Sequence, residues 1–511
     1  MSETVIELYR AAAAEQPMDA AIRTGLAQAF LSAGQGQSAL EAADAALQID
    51  PENADAWQVR GQALGAMGKL AGAASSWERA LAAAPTRAGL CTNLGVLCAQ
   101  LDRVADAEHW LSRAIQLNPN LKEAHASLGA LFACTGRPKL AEQYCLQALT
   151  LDPGLVAAHR NLAAVADSRG NRQAARRHWE AAFARQSAFL EPAYEPAKAR
   201  TVLVPLVAGG GNVPLRHLFP RSRNTLIKWC VEHARPGESD QLPPYDLVFN
   251  AVGDPDEGAT AAAPLATFLA GCKRPVLNLP DRVAATRRDR LPGLLGNLPG
   301  VVVPAVLRLG ANDRPVDVAA RAGLRCPLLI RPVGAHGGDG VGLIETEAAL
   351  AALSPGLERY LTAFHDTRSA DGLWRKYRAI FIQGEALPYH LAASDRWLVH
   401  YWTAGMESCS ERREEERHFL CDPVSALGAQ TWKAVRAIGQ RIGLDWCGID
   451  FARLPDGRVL VFEANATMSV HPEDEGGPFA YKNPAVAAIL DTFEKILEQT
   501  AGARPDVHQT S

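Results

Sequence analysis

The chain has no run of 18 or more apolar residues, no C-x-x-C pair and no strong excess of charge of either sign. Without a long apolar run, a membrane-spanning helix is excluded. The ten cysteines are scattered, and several (Cys98 and Cys145 among them) sit on apolar helix faces. They give neither a disulfide frame nor zinc-ligand spacing, and read as free thiols in a reducing compartment. A formal net charge of −4 offers no general polyanion-binding surface, so nucleic acid is not an expected partner. The stretch MSETVIELYRAAAAE carries acidic residues where a secretory leader has an apolar core, so the expectation is a cytoplasmic protein without a membrane partner. What is present is length: 511 residues are enough for two to four domains.

The first third is periodic. Prolines stand at 17, 51, 85, 119 and 153, each 34 residues after the last. Small residues recur in the same frame (Ala27, Gly61, Gly95, Gly129 and Ala163; Ala39, Ala73, Ala107, Ala141 and Ala175) and let two antiparallel helices approach closely. Large residues such as Phe30, Leu64, Cys98 and Phe132 fill the gap between them, and the proline ends the second helix. A period of 34 with this content resembles the tetratricopeptide helix-turn-helix. Residues 2–16 supply a lone helix that caps the stack, and the fifth unit has Ser187 where a proline is expected. The resemblance implies an all-α solenoid over 1–190 with a groove for a peptide or protein partner.

The pattern breaks after Arg185. Pro192 and Pro196 mark a linker, placed at 191–200. Thr201–Ala208, Asp246–Val252 and Pro275–Leu279 read as strands and Ala261–Leu269 as a helix, so a small α/β domain is expected over 201–270. Gly209-Gly210-Gly211 reads as a plain turn, because no lysine follows in phosphate-loop spacing.

The chemistry gathers later. Gly448–Leu454 and Arg458–Ala464 are short apolar runs around Asp456-Gly457, a hairpin signal. A two-residue turn there puts Asp450 directly opposite Glu463, with Asn465 on the same face. Like charges so opposed destabilise a sheet unless something lies between them, and a divalent cation is the obvious candidate. Upstream, Cys326–Arg331 reads as a strand leading into the glycine-rich PVGAHGGDGVG (332–342), whose backbone N–H groups can surround phosphate oxygens. Arg331 can hold a phosphate through its donor fork. Tyr360–Asp366 and Asp371–Ile382 read as strands, the second with Lys376 and Arg378 on one face; Trp397–Tyr401 reads as another strand. Thr431–Ile442 has the apolar spacing of an amphipathic helix, and ERREEER (411–417) reads as a solvated helix face. His390, Arg396, His400 and His471 are acceptor-site candidates without a motif.

A glycine-rich strand-loop-strand preceded by a basic residue, an exposed strand, and D-x12-E-x-N on a hairpin together resemble the ATP-grasp superfamily. The element order is that of the D-alanine–D-alanine ligase, glutathione synthetase and ribosomal-protein glutamate ligase branch. The resemblance covers 271–500 and implies an α+β ATP-grasp domain, preceded by the small α/β domain and followed by a flexible tail at 501–511. It makes Asp450, Glu463 and Asn465 ligands of two Mg2+ ions, with Mn2+ as an alternative. It makes Arg290, Arg331, Gly334, Gly337, Gly338 and Gly340 contacts to ATP phosphates. Tyr360, Leu361, Thr362 and Ala363 would edge the adenine and Asp366 reach the ribose. Arg331 and Arg378 would offset charge in catalysis. The implied activity is a carboxylate–amine ligase passing through an acylphosphate, acting on a small acid and amine or on a peptide. Departures keep two alternatives open, a nucleotide-binding but non-catalytic scaffold and a kinase-type phosphotransferase. Arginine stands at 290 and 331 where relatives carry lysine, Ala363 stands in place of a glutamate, and Gly448 lies where some ligases carry arginine.

Overall fold

The computed structural model describes residues 2–184, 186–194, 199–335, 338 and 340–502. These fall into two compact units: Met1–Ala199 with Arg221–Thr225, and Arg200–Pro220 with Leu226–Ser511, each over its described residues. Gly337 and the tail from 503 onward lie outside the described residues, as does part of the expected linker (195–198).

The first unit is a helical array. A lone helix, Ser2–Glu15, comes first. Five helix pairs follow whose first members start at Ala20, Ala54, Ala88, Lys122 and Val156, and whose second members start at Gly36, Leu70, Val104, Pro138 and Arg172. Both series advance by 34. The reason is visible at the three middle crossings. A Cβ on Gly61 would lie 2.3 Å from the Trp77 ring, one on Gly95 2.6 Å from Leu111 Cγ, and one on Gly129 2.4 Å from Cys145 Sγ. Asp19, Asn53 and Asn171 cap helix N-termini with their side chains. The turn inside each pair needs a left-handed residue, supplied by Gly34, Gly68, Gly136 and Gly170; at the third pair Asp102 takes that slot at φ 60°. A short strand, Ala188–Glu191 (β1), follows the array.

The second unit holds three sheets. The first contains Arg200–Leu206 (β2), Asn224–Cys230 (β3), Leu247–Phe249 (β4) and Val276–Leu277 (β5), side by side as β3-β2-β4-β5 with β2–β4 and β4–β5 parallel. The third strand of the chain in this layer, β4, is fully buried, as a strand covered on both faces must be. Val301–Val302 (β6) belongs to the largest sheet and Val306–Leu309 (β7) to another. That second sheet runs β7-β10-β8-β9, with Leu328–Pro332 (β8), Gly342–Ile344 (β9) and Arg359–Ala363 (β10). The largest runs β12-β11-β13-β14-β6, with Trp374–Ile382 (β11), Glu385–Ser394 (β12), Cys447–Arg453 (β13) and Val459–Asn465 (β14).

One hydrophobic core runs beneath the first and largest sheets. Phe219, Phe249, Trp446 and Phe493 meet edge to face at 5.0–5.6 Å between ring centroids. Asn278, buried and left-handed, exchanges two side-chain hydrogen bonds with the Trp446 backbone and so fixes where β13 begins. The segment 397–400 is not a strand. It bends and continues into a 3-10 turn at Tyr401–Thr403, and among the described residues no strand pairs with its backbone.

The hairpin turn also differs from expectation. Leu454 N–H donates to Arg458 across a three-residue loop, Pro455-Asp456-Gly457, with Gly457 at φ 85°. Pro455 fixes its own φ in the range of an ordinary type I turn, so the tight Asp-Gly turn does not form. Register is nonetheless restored, because β14 carries an extra residue at Phe462, and Asp450 pairs with Glu463 as the strand alternation predicted.

Candidate functional site

Four strands of the largest sheet bring four side chains into one cross-strand row. His390 on β12 pairs with Arg378 on β11, Arg378 with Asp450 on β13, and Asp450 with Glu463 on β14. Bulges lie on both outer strands beside this row, where Tyr389 and Phe462 are the extra residues. A bulge breaks the alternation of faces and re-aims a side chain; here both extra rings line a cleft with the row.

The cleft is a cavity of about 350 Å³ lined by the largest sheet and the four-stranded sheet. The smaller sheet contributes Leu329, Arg331, Thr362 and Ala363. Leu329, Val341, Phe364, Leu460 and Phe462 supply an apolar part of its lining. Among the lining residues, two carboxylates are held by four cations. Asp450 accepts from Arg378 Nε at 2.6 Å and from Arg378's terminal nitrogen at 2.9 Å, and lies 3.2 Å from Lys376 Nζ. Glu463 is bonded to Arg288 and lies 3.8 Å from Arg331. Burial by itself would raise both carboxyl pKa values. The cations outweigh it, holding Asp450 far below the usual range and Glu463 at about 2. Burial, reinforced by Arg288, pushes Arg331 down to about 10, and its Nε has no hydrogen-bond partner. A buried cation with an unused donor, in a cluster with two more cations than carboxylates, fits a polyanionic ligand.

The residues named from sequence do not all converge. Arg331, Gly338, Thr362, Ala363, Arg378, Asp450 and Glu463 line the cleft. Arg290 does not; it is exposed, and Arg288, two residues earlier, is the one that reaches Glu463. The expectation for 360–363 concerned the backbone; of the side chains, Tyr360 is outside the lining and donates to Asp256 at 2.6 Å, while Leu361, on the opposite face of β10, is buried among Leu309, Leu328 and Ile344. Asp366 is occupied by the Arg368 backbone and side chain and by Trp374, outside the lining. Gly334 and Gly340 adopt left-handed φ but only Gly338 of the described loop glycines lines the cavity. Asn465 Oδ1 accepts from Thr467 N–H and Oγ1, each at 3.0 Å. Gly448 has no room for a side chain, since a Cβ would lie 2.6 Å from Met468 Sδ and 2.9 Å from the Ala379 carbonyl.

No curated protein matches the chain. Two tetratricopeptide repeat profiles match it, at residues 3–63 and 59–122. The N-terminal region carries tetratricopeptide repeats. Among solved structures, these repeats resemble YrrB, described as a TPR protein with an unusual peptide-binding site (26% identity over 35% of this chain and 92% of that one, TM-score 0.32). PilF of Pseudomonas aeruginosa is 22% identical over 32% of this chain and 74% of that one, with a TM-score of 0.30. PilW, a type IV pilus biogenesis factor, is 26% identical over 32% and 77%, with a TM-score of 0.31. A tetratricopeptide region is a protein-interaction domain in its physical design, a stack of small units presenting one continuous surface. All ten cysteines are free, and Cys91, Cys98 and Cys145 are buried inside the repeats. Among the described residues no helix is long and apolar enough to cross a membrane.

Sequence reasoning missed Arg288, Tyr389 and Lys482. Arg288 was hidden in the run TRRDR (286–290), where only local geometry selects one guanidinium. Tyr389 depends on a bulge. Lys482 comes from the 3-10 turn Ala480–Lys482, far along the chain from the motif residues.

Proposed function

We propose that the second unit is an ATP-dependent carboxylate–amine ligase of the ATP-grasp kind, working through an acylphosphate, and that the repeats dock its peptide or protein partner or substrate. The observation that carries this reading is the cluster of Arg288, Arg331, Lys376 and Arg378 around Asp450 and Glu463, in a partly apolar cleft lined by the largest sheet and the four-stranded sheet. An apolar lining suits a base, and the cations suit its phosphates.

Asp450 and Glu463 fit the role of Mg2+ ligands, because phosphate oxygens can take over the guanidinium donors that now engage both carboxylates; Asn465, outside the cavity lining with its Oδ1 accepting from Thr467, would have to turn to join them. Bound Mg2+ would neutralise phosphate charge and orient the transferred group. In the reaction a substrate carboxylate oxygen forms a bond to the γ-phosphorus and ADP leaves. The amine nitrogen then bonds to the acyl carbon, and the C–O bond to phosphate breaks with its electron pair going to phosphate. The substrate ammonium loses one proton to solvent to free the lone pair that attacks, and the nitrogen loses a second to the departing phosphate. Arg331 and Arg378 stabilise charge on the transferred phosphoryl group, a contribution of about 10²–10³ in rate for one well-placed donor.

The test is ADP release from Mg-ATP that depends on an added carboxylic acid and yields an amide when an amine is present. ADP formation with a phosphorylated acceptor and no amide would favour the kinase-type alternative. One observation favours the non-catalytic scaffold, namely that cations already neutralise both carboxylates. Glu463→Gln separates the two: it abolishes the biological activity of a ligase and leaves that of a scaffold intact.

A further inference from the structure

The cleft carries further polar groups that continue from the His390 end of the charge row. Lys482 is 2% exposed, and its Nζ donates to Glu473 at 2.5 Å and lies over the rings of Tyr401 (4.5 Å) and Tyr389 (5.5 Å). His390 is 7% exposed, stacks on Tyr401 at 4.9 Å between centroids, and leaves Nε2 without a partner. Tyr389 Oη lies 3.4 Å from His471 Nδ1. Beside them Trp402 lines the same cavity yet is 69% exposed, the most exposed aromatic ring bordering it.

The lining groups at this end specify the chemistry. Its donors are an ammonium and an imidazole nitrogen, next to Arg378 and Lys376 across the sheet. The acids here are already engaged: Glu473 is bonded to Lys482, Asp450 to Arg378 and Lys376, and Glu416 to the hydroxyls of Tyr401 and Tyr481. Lys482 Nζ has N–H donors beyond the one that Glu473 takes, and His390 Nε2 has no partner, so a carboxylate would meet donors in need of an acceptor. The walls are aromatic, and Trp402 has an uncovered face. We infer that this end is the acid subsite of the ligase proposed above, and that it takes a carboxylic acid with a flat apolar body, its carboxylate accepting from Lys482 Nζ and His390 Nε2–H and its body lying against Tyr401 and Trp402. Burial, reinforced by Arg378, keeps His390 neutral, which leaves one ring N–H to donate without adding charge. The inference rests on the ligase reading only for the word acid substrate; the binding itself does not require turnover.

The carboxylate can belong to a free acid or to a peptide terminus. Calorimetry on the full chain with 3-phenylpropionate, a tripeptide ending in phenylalanine, propionate and phenethylamine distinguishes these sources. At least one of the two aryl carboxylates should bind about tenfold more tightly than propionate and phenethylamine. Lys482→Met should weaken that binding at least about tenfold, the loss of one charge-assisted bond, and Trp402→Ala about threefold, with Mg-ATP affinity unchanged in both. Trp402 is on the surface, so this second variant decides the matter if Lys482→Met does not fold. Equal binding of phenethylamine and phenylpropionate, or unchanged acid affinity in Trp402→Ala and Lys482→Met, overturns the inference. Acid binding without any affinity for Mg-ATP would instead sink the ligase reading and leave the subsite standing.

Discussion

Replacing Asp450 with asparagine tests the charge row directly. The wild-type carboxylate is 4% exposed and serves Arg378 and Lys376, whose side chains are each 19% exposed. Asparagine keeps the volume and removes the charge, which leaves two cations facing each other in a largely buried place. Breaking one side of a buried pair costs about 3–5 kcal/mol, and the partial exposure of both cations brings the expectation to about 3 kcal/mol. For a unit of this size, an entropy of unfolding near 2.1 cal/mol/K per residue converts that to a Tm lower by about 5 °C. The informative measurement is the same melt with tripolyphosphate and no metal. A polyanion can replace the lost carboxylate as counter-ion, so it should raise the Tm of Asp450→Asn more than that of the wild type. The double variant Arg378→Met, Asp450→Leu should recover part of the loss, because exchanging both members of a buried pair for apolar groups of similar volume is often neutral. An Asp450→Asn protein that melts with the wild type, and responds identically to tripolyphosphate, would mean that these charges are solvated and that the cationic cleft is not as described.

Three further outcomes follow from other parts of the molecule. Asp102→Gly should raise the melting temperature of the repeats by the equivalent of about 1 kcal/mol, since it relieves the only non-glycine residue in the left-handed slot of the described helix pairs; thermal denaturation followed by circular dichroism reads it. Glu463 and Asp450 titrate below their unfolded values, so their contribution to stability is complete above about pH 4.5 and is lost as pH falls from there through about 2 for Glu463. Acid titration of Glu463→Gln should therefore show a shallower loss over that window, as measured by urea midpoints. Arg331→Met should lower Mg-ATP affinity while Arg290→Met, an exposed side chain outside the cleft, leaves it unchanged; nucleotide titration of the two variants would refute the assignment of Arg288 and Arg331 if the order were reversed.

The repeats were legible because their information is local and redundant. A single proline means little, but the glycine or alanine at each helix crossing and the glycine or aspartate at each inner turn answer to the same 34-residue geometry, so the reading did not depend on any one of them. The cleft is different. Its glycine-rich strand pair and its strands at Leu328–Pro332, Arg359–Ala363 and Trp374–Ile382 follow from composition and alternation. Which guanidinium of TRRDR faces inward does not, because a short irregular segment has no period to fix the direction of its side chains. Lys482 was invisible for a related reason: nothing near it in sequence refers to Tyr389 or Tyr401, and only tertiary packing brings a lysine beneath their rings.

The hairpin shows how a correct pairing can rest on an incomplete account. Asp450 does stand opposite Glu463, but through two irregularities that compensate. The three-residue loop shifts the register by one near the turn, and the bulge at Phe462 shifts it back before the carboxylate row. A straight strand after the three-residue loop would bring Phe462, not Glu463, opposite Asp450. The row would then lose its second carboxylate, and Arg288 its partner. The bulge therefore does two things at once: it returns Glu463 to the row and turns an aromatic ring into the cleft. Tyr389 stands in the same relation to His390 on the opposite edge of the row, where its bulge brings a ring beside Lys482. Charge in the middle and an aromatic wall at either end thus follow from one backbone device used twice, which no alternation rule applied to a regular strand would place.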